Sequence, residues 1–139
     1  MAIHIKRMQP GDDLEFSHVA PDVFDEPIHP ERLAAYLLEP NHLMILAFDD
    51  EMVVGQCAAV MHRHPDKVIE LYVDEVGTAS THLRQGIATR LVEAMFAWGR
   101  ELGCREAWLG TELDNLEANG LYRKLGGTAE PMQYYEFKL

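Results

Sequence analysis

Several features common in secreted and membrane proteins are missing from this sequence. Its 139 residues include only two cysteines, Cys57 and Cys104, too few for a disulfide framework and outside any Cys-x-x-Cys or Cys/His metal spacing. No apolar run approaches the roughly 20 residues that span a bilayer. The start, Met1 to His4, is not a basic region followed by an apolar one. We therefore expect a soluble cytoplasmic protein with two buried thiols.

Positive charge is also scarce. Twelve Lys and Arg residues stand against 23 Asp and Glu, which gives a net charge of −11. Residues 1–70 carry 5 basic and 13 acidic side chains, whereas the remainder carries 7 and 10. Affinity for phosphate backbones comes from cationic side chains, so we expect neither nucleic acid nor membrane as a partner. The excess acid is consistent either with solubility alone or with a cationic substrate.

The hydrophobic pattern predicts a single α/β (α+β) domain over residues 1–139. Its elements follow the order β-α-α-β-β-β-α-β-α-β, a mixed, mostly antiparallel sheet flanked by helices. The predicted strands cover residues 2–8, 43–48, 52–60, 67–78, 105–111 and 131–138. Residues 12–24 are predicted to form a first helix and a loop, interrupted by Pro21. Further helices are predicted over residues 33–38, 86–102 and 114–125, the last with Asp114 and Glu117 as a capping-box-like pair.

The segment from His82 to Thr89 joins a strand to the strongly amphipathic helix 86–102. Gly86 and Ala88 are small, so a ligand can approach the backbone closely. The first N–H groups of a helix have no partner within the helix, and they bind phosphate well. By itself the segment is also consistent with a plain strand-to-helix turn, and it lacks the Gly-Lys-Ser/Thr of a P-loop.

Two motifs together carry a resemblance to the GCN5-related N-acetyltransferases. The first, Arg84-Gln85-Gly86-Ile87-Ala88-Thr89, resembles that family's pyrophosphate loop, Gln/Arg-x-x-Gly-x-Gly/Ala. The second runs from Asn115 to Gly126 and is similar to Asn-x-x-Ala-x-x-Leu-Tyr-x-x-x-Gly. Leu83 stands where the family has Gln/Arg, and Gly127 stands where it has Phe. Within the family, the chain looks most like the small aminoglycoside 3-N-acetyltransferases.

The resemblance implies acetyl transfer from acetyl-CoA to a primary amine by direct attack. The acceptor would be an aminoglycoside, which would imply antibiotic resistance, or another cationic amine. Tyr122 matches the family tyrosine near the sulfur, and Asn115 matches a position that contacts the pantetheine arm. The residues that we expect to bind the coenzyme are Val76, Gly77, Thr78, Arg84, Gln85, Gly86, Ile87, Ala88, Thr89, Asn115, Ala118 and Tyr122.

The predicted strand 67–78 carries the candidate bases. Asp74 and Glu75 are neighbours, so a regular strand would place them on opposite faces. We favour Glu75 as general base or ammonium anchor because it has the register of the acid in the resembling sequences, with Asp74 next and Glu70 third. Gly77 fits a bulge that would splay the strand and open a slot for the pantetheine. A backbone N–H near Thr78 would stabilise the oxyanion.

Other interpretations remain open. A non-catalytic acyl-CoA-binding module of the same fold would keep the loop but lack a working base and acid. A Rossmann-type nucleotide site would need a Gly-x-Gly-x-x-Gly after an early strand, which is missing. His62 and His64 have no recognisable third ligand, so we expect no metal, and His82 is expected to be exposed. Exposed strand edges favour a homodimer.

Overall fold

A computed structural model describes residues 2–139. The chain forms two compact units, one ending at Leu109 and the other spanning Gly110–Leu139. The first unit contains a five-stranded sheet in the order β1-β2-β3-β4-β5. Its strands are β1 (Ile3–Arg7), β2 (His42–Asp49), β3 (Met52–His62), β4 (Glu70–Thr78) and β5 (Glu106–Trp108). The first four pair antiparallel, and β5 pairs parallel with β4. This mixed, mostly antiparallel sheet confirms the predicted fold class.

Three α-helices accompany the sheet: α1 (Pro30–Leu38), α2 (Ile87–Glu101) and α3 (Leu116–Lys124). The first two lie in the first unit, and α3 is the helix of the second. Pro30 stands in the first turn of α1, where its missing N–H costs no helical bond, and the His29 side chain accepts a hydrogen bond from the Arg32 backbone N–H. None of the helices within residues 2–139 is long and apolar enough to cross a membrane.

The core of the first unit lies between the sheet and α2. The apolar stripe of α2 is buried as its spacing predicts, through Ile87, Leu91 and Met95. On the face toward α2, the buried side chains of β2, β3 and β4 include Ile45, Cys57 and Leu71, whereas Leu46 is buried on the opposite face of the sheet with Gln56. A hydrogen bond also links α2 to the first strand, because the Arg90 guanidinium of α2 donates to the Ile3 carbonyl of β1 at 3.0 Å.

Several predicted boundaries are wrong. The first helix, predicted within the helix-and-loop segment 12–24, is a short 3-10 helix, Asp12–Phe16, and the loop after it bends around Pro21. In the second unit, α3 begins at Leu116, and Asn115 rather than Asp114 caps it by accepting from the Ala118 N–H. Residues 131–138, predicted to form a closing strand, have no regular secondary structure.

The irregularity in β4 is not at Gly77. Gly77 pairs in register with Gln56, and the bulge lies instead at Asp74, because Ala58 pairs with Glu75 while Ala59 pairs with Val73. Gly77 is required for a different reason. A Cβ atom at this position would lie 2.2 Å from the Val23 carbonyl oxygen, so only glycine lets the loop before α1 approach β4 this closely.

We expect Gly77→Ala to destabilise the protein by about 1–3 kcal/mol, since the added methyl group must push a backbone segment away. Gly55→Ala is the matched control. Its methyl group would meet two flexible side-chain ends first, the Ile87 Cγ2 at 2.9 Å and the Leu91 Cδ1 at 3.0 Å, and a backbone atom, the Gly77 carbonyl oxygen, only at 3.3 Å. Urea unfolding of both variants measures the difference. Equal losses would show that the Val23 backbone is free to yield.

Candidate active site

The bulge at Asp74 decides which face of the sheet Glu75 occupies. Leu71 is one of the β4 residues that face α2. Its Cδ2 lies 2.8 Å from the point that a Cβ atom at Gly99 of α2 would occupy. Val73, two residues on, lies on the same face. Beyond the bulge, Thr78 also faces α2, because it pairs with Gly55, which lies against Ile87 and Leu91 of α2. Glu75 therefore points to the opposite face with Gly77, where Gln56 is its neighbour. The prediction of opposite faces for Asp74 and Glu75 assumed a regular strand and does not hold.

A partly desolvated group of carboxylates forms on that opposite face. Burial raises the pKa of Glu75 above its usual range, and the negative charges of Asp74 and Asp25 raise it further. A hydrogen bond from the Gln56 amide, 3.5 Å from Oε1 of Glu75, acts the other way. A carboxylate whose pKa is raised toward neutrality suits proton transfer at physiological pH. Asp74 and Glu75 thus lie close enough for their charges to interact.

Gln56 holds this group in place from inside the sheet. Its side chain is buried, and its Nε2 donates to the Val23 carbonyl at 3.3 Å as well as to Glu75. The Oε1 atom has no hydrogen-bond partner within residues 2–139. A buried carbonyl oxygen without a donor costs free energy. It is therefore suited to accept a hydrogen bond from a cation that enters beside Glu75.

Tyr36 of α1 lies close enough to Asp74 and Glu75 for their negative charges to affect its pKa. Its hydroxyl donates to the Leu43 carbonyl at 3.3 Å, and its ring stacks on His42 at 5.1 Å. Burial, and then the charges of Asp74 and Glu75, raise the pKa of Tyr36 far above its usual value. The shift favours the protonated phenol, which makes Tyr36 less suited than Glu75 to act as a base.

A cavity of about 310 Å³ opens in the loop before α1. It is lined by residues 19–22 and 24–28, which include three acids, Asp22, Asp25 and Glu26. Glu75 itself does not line this cavity, but Asp25 does, and its charge acts on Glu75. The volume is at the lower end of the range for small-molecule sites. The cavity is therefore suited to a small cationic group.

Glu70, the third candidate base, is in a different environment. It begins β4, and its Oε1 lies 3.0 Å from the Nε2 of His64. That hydrogen bond lowers the pKa of Glu70, which keeps the carboxylate ionised and makes it a weaker base than Glu75. The ring of His62 lies 4.3 Å from that of His64, so the three residues form one cluster.

The segment before α2 is shaped to bind an anion. Arg84 and Gly86 both have left-handed backbone, with φ angles of 61° and 76°. Alternation of this kind points successive N–H groups into one concavity. Gly86 caps α2 without a side-chain hydrogen bond, and the first turn, from Ile87 to Thr89, holds no acid. The N–H groups and the positive end of the helix dipole are thus left for a ligand.

His82 anchors the start of this loop and is not exposed as predicted. Its Nε2 lies 2.8 Å from the Oδ2 of Asp49 at the end of β2, and its Nδ1 lies 2.8 Å from the Thr81 hydroxyl. Asp49 is distant in the sequence, and no local pattern pairs it with His82. This contact ties the start of the loop before α2 to the end of β2.

One edge of β4 lacks a partner strand within the first unit. β5 pairs only with Glu70, Leu71 and Tyr72, so the pairing ends just before the bulge. Beyond it, Val76, Gly77 and Thr78 pair with β3 on one side only within residues 2–109. Such an edge can accept an extended, amide-containing chain. The edge is open here because β5 ends at Trp108, whereas the bulge of β4 lies on its β3 side, at Asp74.

The remaining predicted residues lie in the second unit. Asn115 caps α3, Ala118 donates its N–H to the Asn115 side chain at 3.1 Å, and Tyr122 lies one turn further along the helix. The Gly127 N–H donates to the Tyr122 carbonyl at 2.9 Å. Cap and helix therefore fix the spacing of these three residues along α3.

Sequence reasoning missed Gln56 and Asp25. Gln56 is a polar residue inside the apolar run 52–60, and a polar residue at a buried strand position is a signal that could have been used. Asp25 belongs to an acidic loop between prolines, and only the tertiary structure shows that its charge reaches Glu75.

We expect Gly86→Ala to cost about 1–2 kcal/mol of stability, because alanine is strained in the left-handed region. Its Cβ would meet no atom within 4 Å, so the cost is conformational. Gly86→Asn is the control, since asparagine tolerates this conformation better. Thermal unfolding should rank wild type first, then asparagine, then alanine. A larger loss for asparagine would indicate that space limits this position.

Comparison with known proteins identifies the family. The profile described as the acetyltransferase (GNAT) family matches residues 11–127. Human N-acetyltransferase 8 is 33% identical over 98 residues, which cover 66% of this chain and 41% of that protein. The chain thus spans about two fifths of the length of this relative.

Solved structures share the fold. An aminoglycoside acetyltransferase from an uncultured soil metagenomic sample superposes with a TM-score of 0.81, 20% identity, and coverage of 100% of this chain and 99% of the other. An aminoglycoside N-acetyltransferase in complex with CoA gives 0.77, with 18% identity and coverage of 99% and 96%. At this identity the likeness concerns the fold alone. Because the family profile covers most of its residues, the chain belongs to the acetyltransferase (GNAT) family.

Proposed function

We propose that the chain is one N-acetyltransferase domain that transfers the acetyl group of acetyl-CoA to a primary amine on a small cationic acceptor. The observation that carries the proposal is Glu75, a carboxylate of raised pKa beside an acidic cavity, on the strand that leads to an anion-binding loop. β4 thus carries the proposed base, Glu75, and leads to the loop that would bind the diphosphate of the coenzyme.

The coenzyme would lie along the loop and the free edge of β4. The N–H groups from Arg84 to Thr89 would receive the diphosphate, and the edge from Val76 to Thr78 would pair with the pantetheine amides. Asn115, Ala118 and Tyr122 are assigned to the same coenzyme through their match to the family motif. The complex of a related fold with CoA supports the choice of cosubstrate.

The chemistry would be direct attack. The acceptor nitrogen forms a bond to the thioester carbon, Glu75 takes the proton that the nitrogen loses, and the carbon–sulfur bond breaks. Tyr122 donates a proton or hydrogen bond to the departing thiolate, as the family motif implies. Asp74 anchors the ammonium form of the acceptor, and Gln56 Oε1 accepts a hydrogen bond from it. A backbone N–H near Thr78 stabilises the oxyanion.

The acceptor class follows from charge. Three acids line the cavity, and every charge that shifts the pKa of Glu75 is negative. A ligand with one or more ammonium groups would relieve this repulsion. The aminoglycoside acetyltransferases of similar fold support an aminoglycoside or another amine-rich molecule. A non-catalytic acyl-CoA-binding module remains the second candidate, and turnover tests separate the two.

An acceptor screen tests the activity. Purified protein and acetyl-CoA should release free thiol with at least one amine among aminoglycosides, polyamines and amino acids. Glu75→Gln should lower kcat by about 10²–10⁴-fold, the usual contribution of a general base. Tyr122→Phe should also lower kcat, and neither variant should weaken acetyl-CoA binding in calorimetry.

Glu51→Gln, an exposed acid in the β2–β3 turn, is the control and should leave kcat unchanged. Binding of acetyl-CoA without thiol release for any acceptor would favour the non-catalytic module. Turnover with unaltered kcat in both Glu75→Gln and Tyr122→Phe would refute the assigned roles but not the activity.

The pH profile of kcat/KM tests the environment of Glu75. Activity requires the carboxylate form, so the rate should rise with pH through a pKa above the ordinary glutamate value of about 4.3. Asp25→Asn removes a negative charge that raises this pKa and should move the acid limb to lower pH. Gln56→Leu removes a hydrogen bond that lowers it and should move the limb to higher pH. Asp13→Asn, an exposed acid, is the control; shifts of one sign in both test variants would contradict the assignment.

A further inference from the structure

A cluster of two histidines and one glutamate lies at the other end of β4 from the anion-binding loop. His62 ends β3, Glu70 begins β4, and the two residues are paired in register. His64 follows in the connecting loop, with its Nε2 3.0 Å from the Oε1 of Glu70. One ligand atom from each of the three residues lies within 4.8 Å of the other two.

The strand register explains why these side chains meet. Paired residues on neighbouring strands project to the same side of a sheet, so His62 and Glu70 share a face. Glu106 of β5 is paired with Glu70 and extends the same row. The loop after β3 then brings the His64 side chain into contact with Glu70. Glu70 is the third ligand that is not recognisable in the sequence, because five residues lie between it and His64.

We propose that His62, His64 and Glu70 bind a divalent transition-metal ion, with zinc the preferred occupant. Two imidazole nitrogens and one carboxylate oxygen form a ligand set that zinc uses with a fourth position open to water or another ligand. Bonds of about 2.0–2.1 Å in tetrahedral geometry separate ligand atoms by about 3.3 Å. The His64–Glu70 distance is already close to this value, and the wider spread of the cluster is within the reach of small side-chain rotations.

The ion would join three parts of the chain. It would tie the end of β3 and the start of β4 to the loop between them. Binding should therefore stabilise the folded state by an amount that grows with the logarithm of the free ion concentration above the Kd. The ligands would have to be neutral imidazoles and an ionised carboxylate, so protons compete with the metal. This role is separate from acetyl transfer, and its test does not depend on turnover.

The test uses the full-length chain without an affinity tag, stripped with a chelator and titrated with Zn²⁺ by calorimetry. We expect one ion per chain and a higher thermal midpoint in its presence. His62→Ala and Glu70→Gln should each weaken binding at least tenfold and abolish the thermal shift. His18→Ala, an exposed histidine in the loop before α1, should bind like the wild type. Co²⁺ should give the intense visible bands of a tetrahedral site.

Two results would overturn the proposal. One is zinc binding of equal strength in wild type and the His62→Ala/His64→Ala double variant. The other is a Glu70→Gln variant that retains the zinc affinity of the wild type. That result would mean that Glu70 contacts His64 without serving as a metal ligand. Chelator-stripped variants that unfold at the wild-type midpoint show that the changes in binding do not arise from misfolding.

Discussion

One extra residue in β4, Asp74, determines which face of the sheet the side chain of Glu75 occupies. Without Asp74 as the bulged residue, Glu75 would continue the α2-facing row of Leu71 and Val73, among buried apolar groups. An ionised carboxylate without a partner is costly in such a place. The bulge transfers Glu75 to the face of Gln56, and the pairing of β4 with β5 ends beside it at Tyr72. The bulge therefore places the acid on the strand whose outer edge opens where the short β5 ends.

The two glutamates at the ends of this strand show how environment separates chemically identical groups. Glu70 faces a histidine, and its pKa is lowered; Glu75 faces other acids and partial burial, and its pKa is raised. Opposite shifts in one strand are how acid–base roles are distinguished in many sites. Glu75 is suited to exchange a proton, whereas Glu70 is suited to hold a positive charge.

The sequence predicted most of the regular structure but not the feature that places the site. The 3.6-residue period of α2 and the apolar runs of β2 and β3 are strong signals, and the structure has them where expected. At the bulge the pattern reads Val-Asp-Glu-Val, and two adjacent acids are compatible with either register. Gly77 was correctly singled out for the wrong reason, because a close approach by Val23 is a tertiary contact without a local signature.

The charge of the chain acts differently on the two substrates. Salt limits the reach of surface charge to about 8 Å, so the net charge of −11 does not decide whether an anionic coenzyme binds. In the proposed function local groups would decide, and at the loop these are backbone N–H groups and Arg84. The acceptor side would use side-chain carboxylates instead. An anion and a cation can thus be drawn to one strand because backbone dipoles attract the first and acidic residues attract the second.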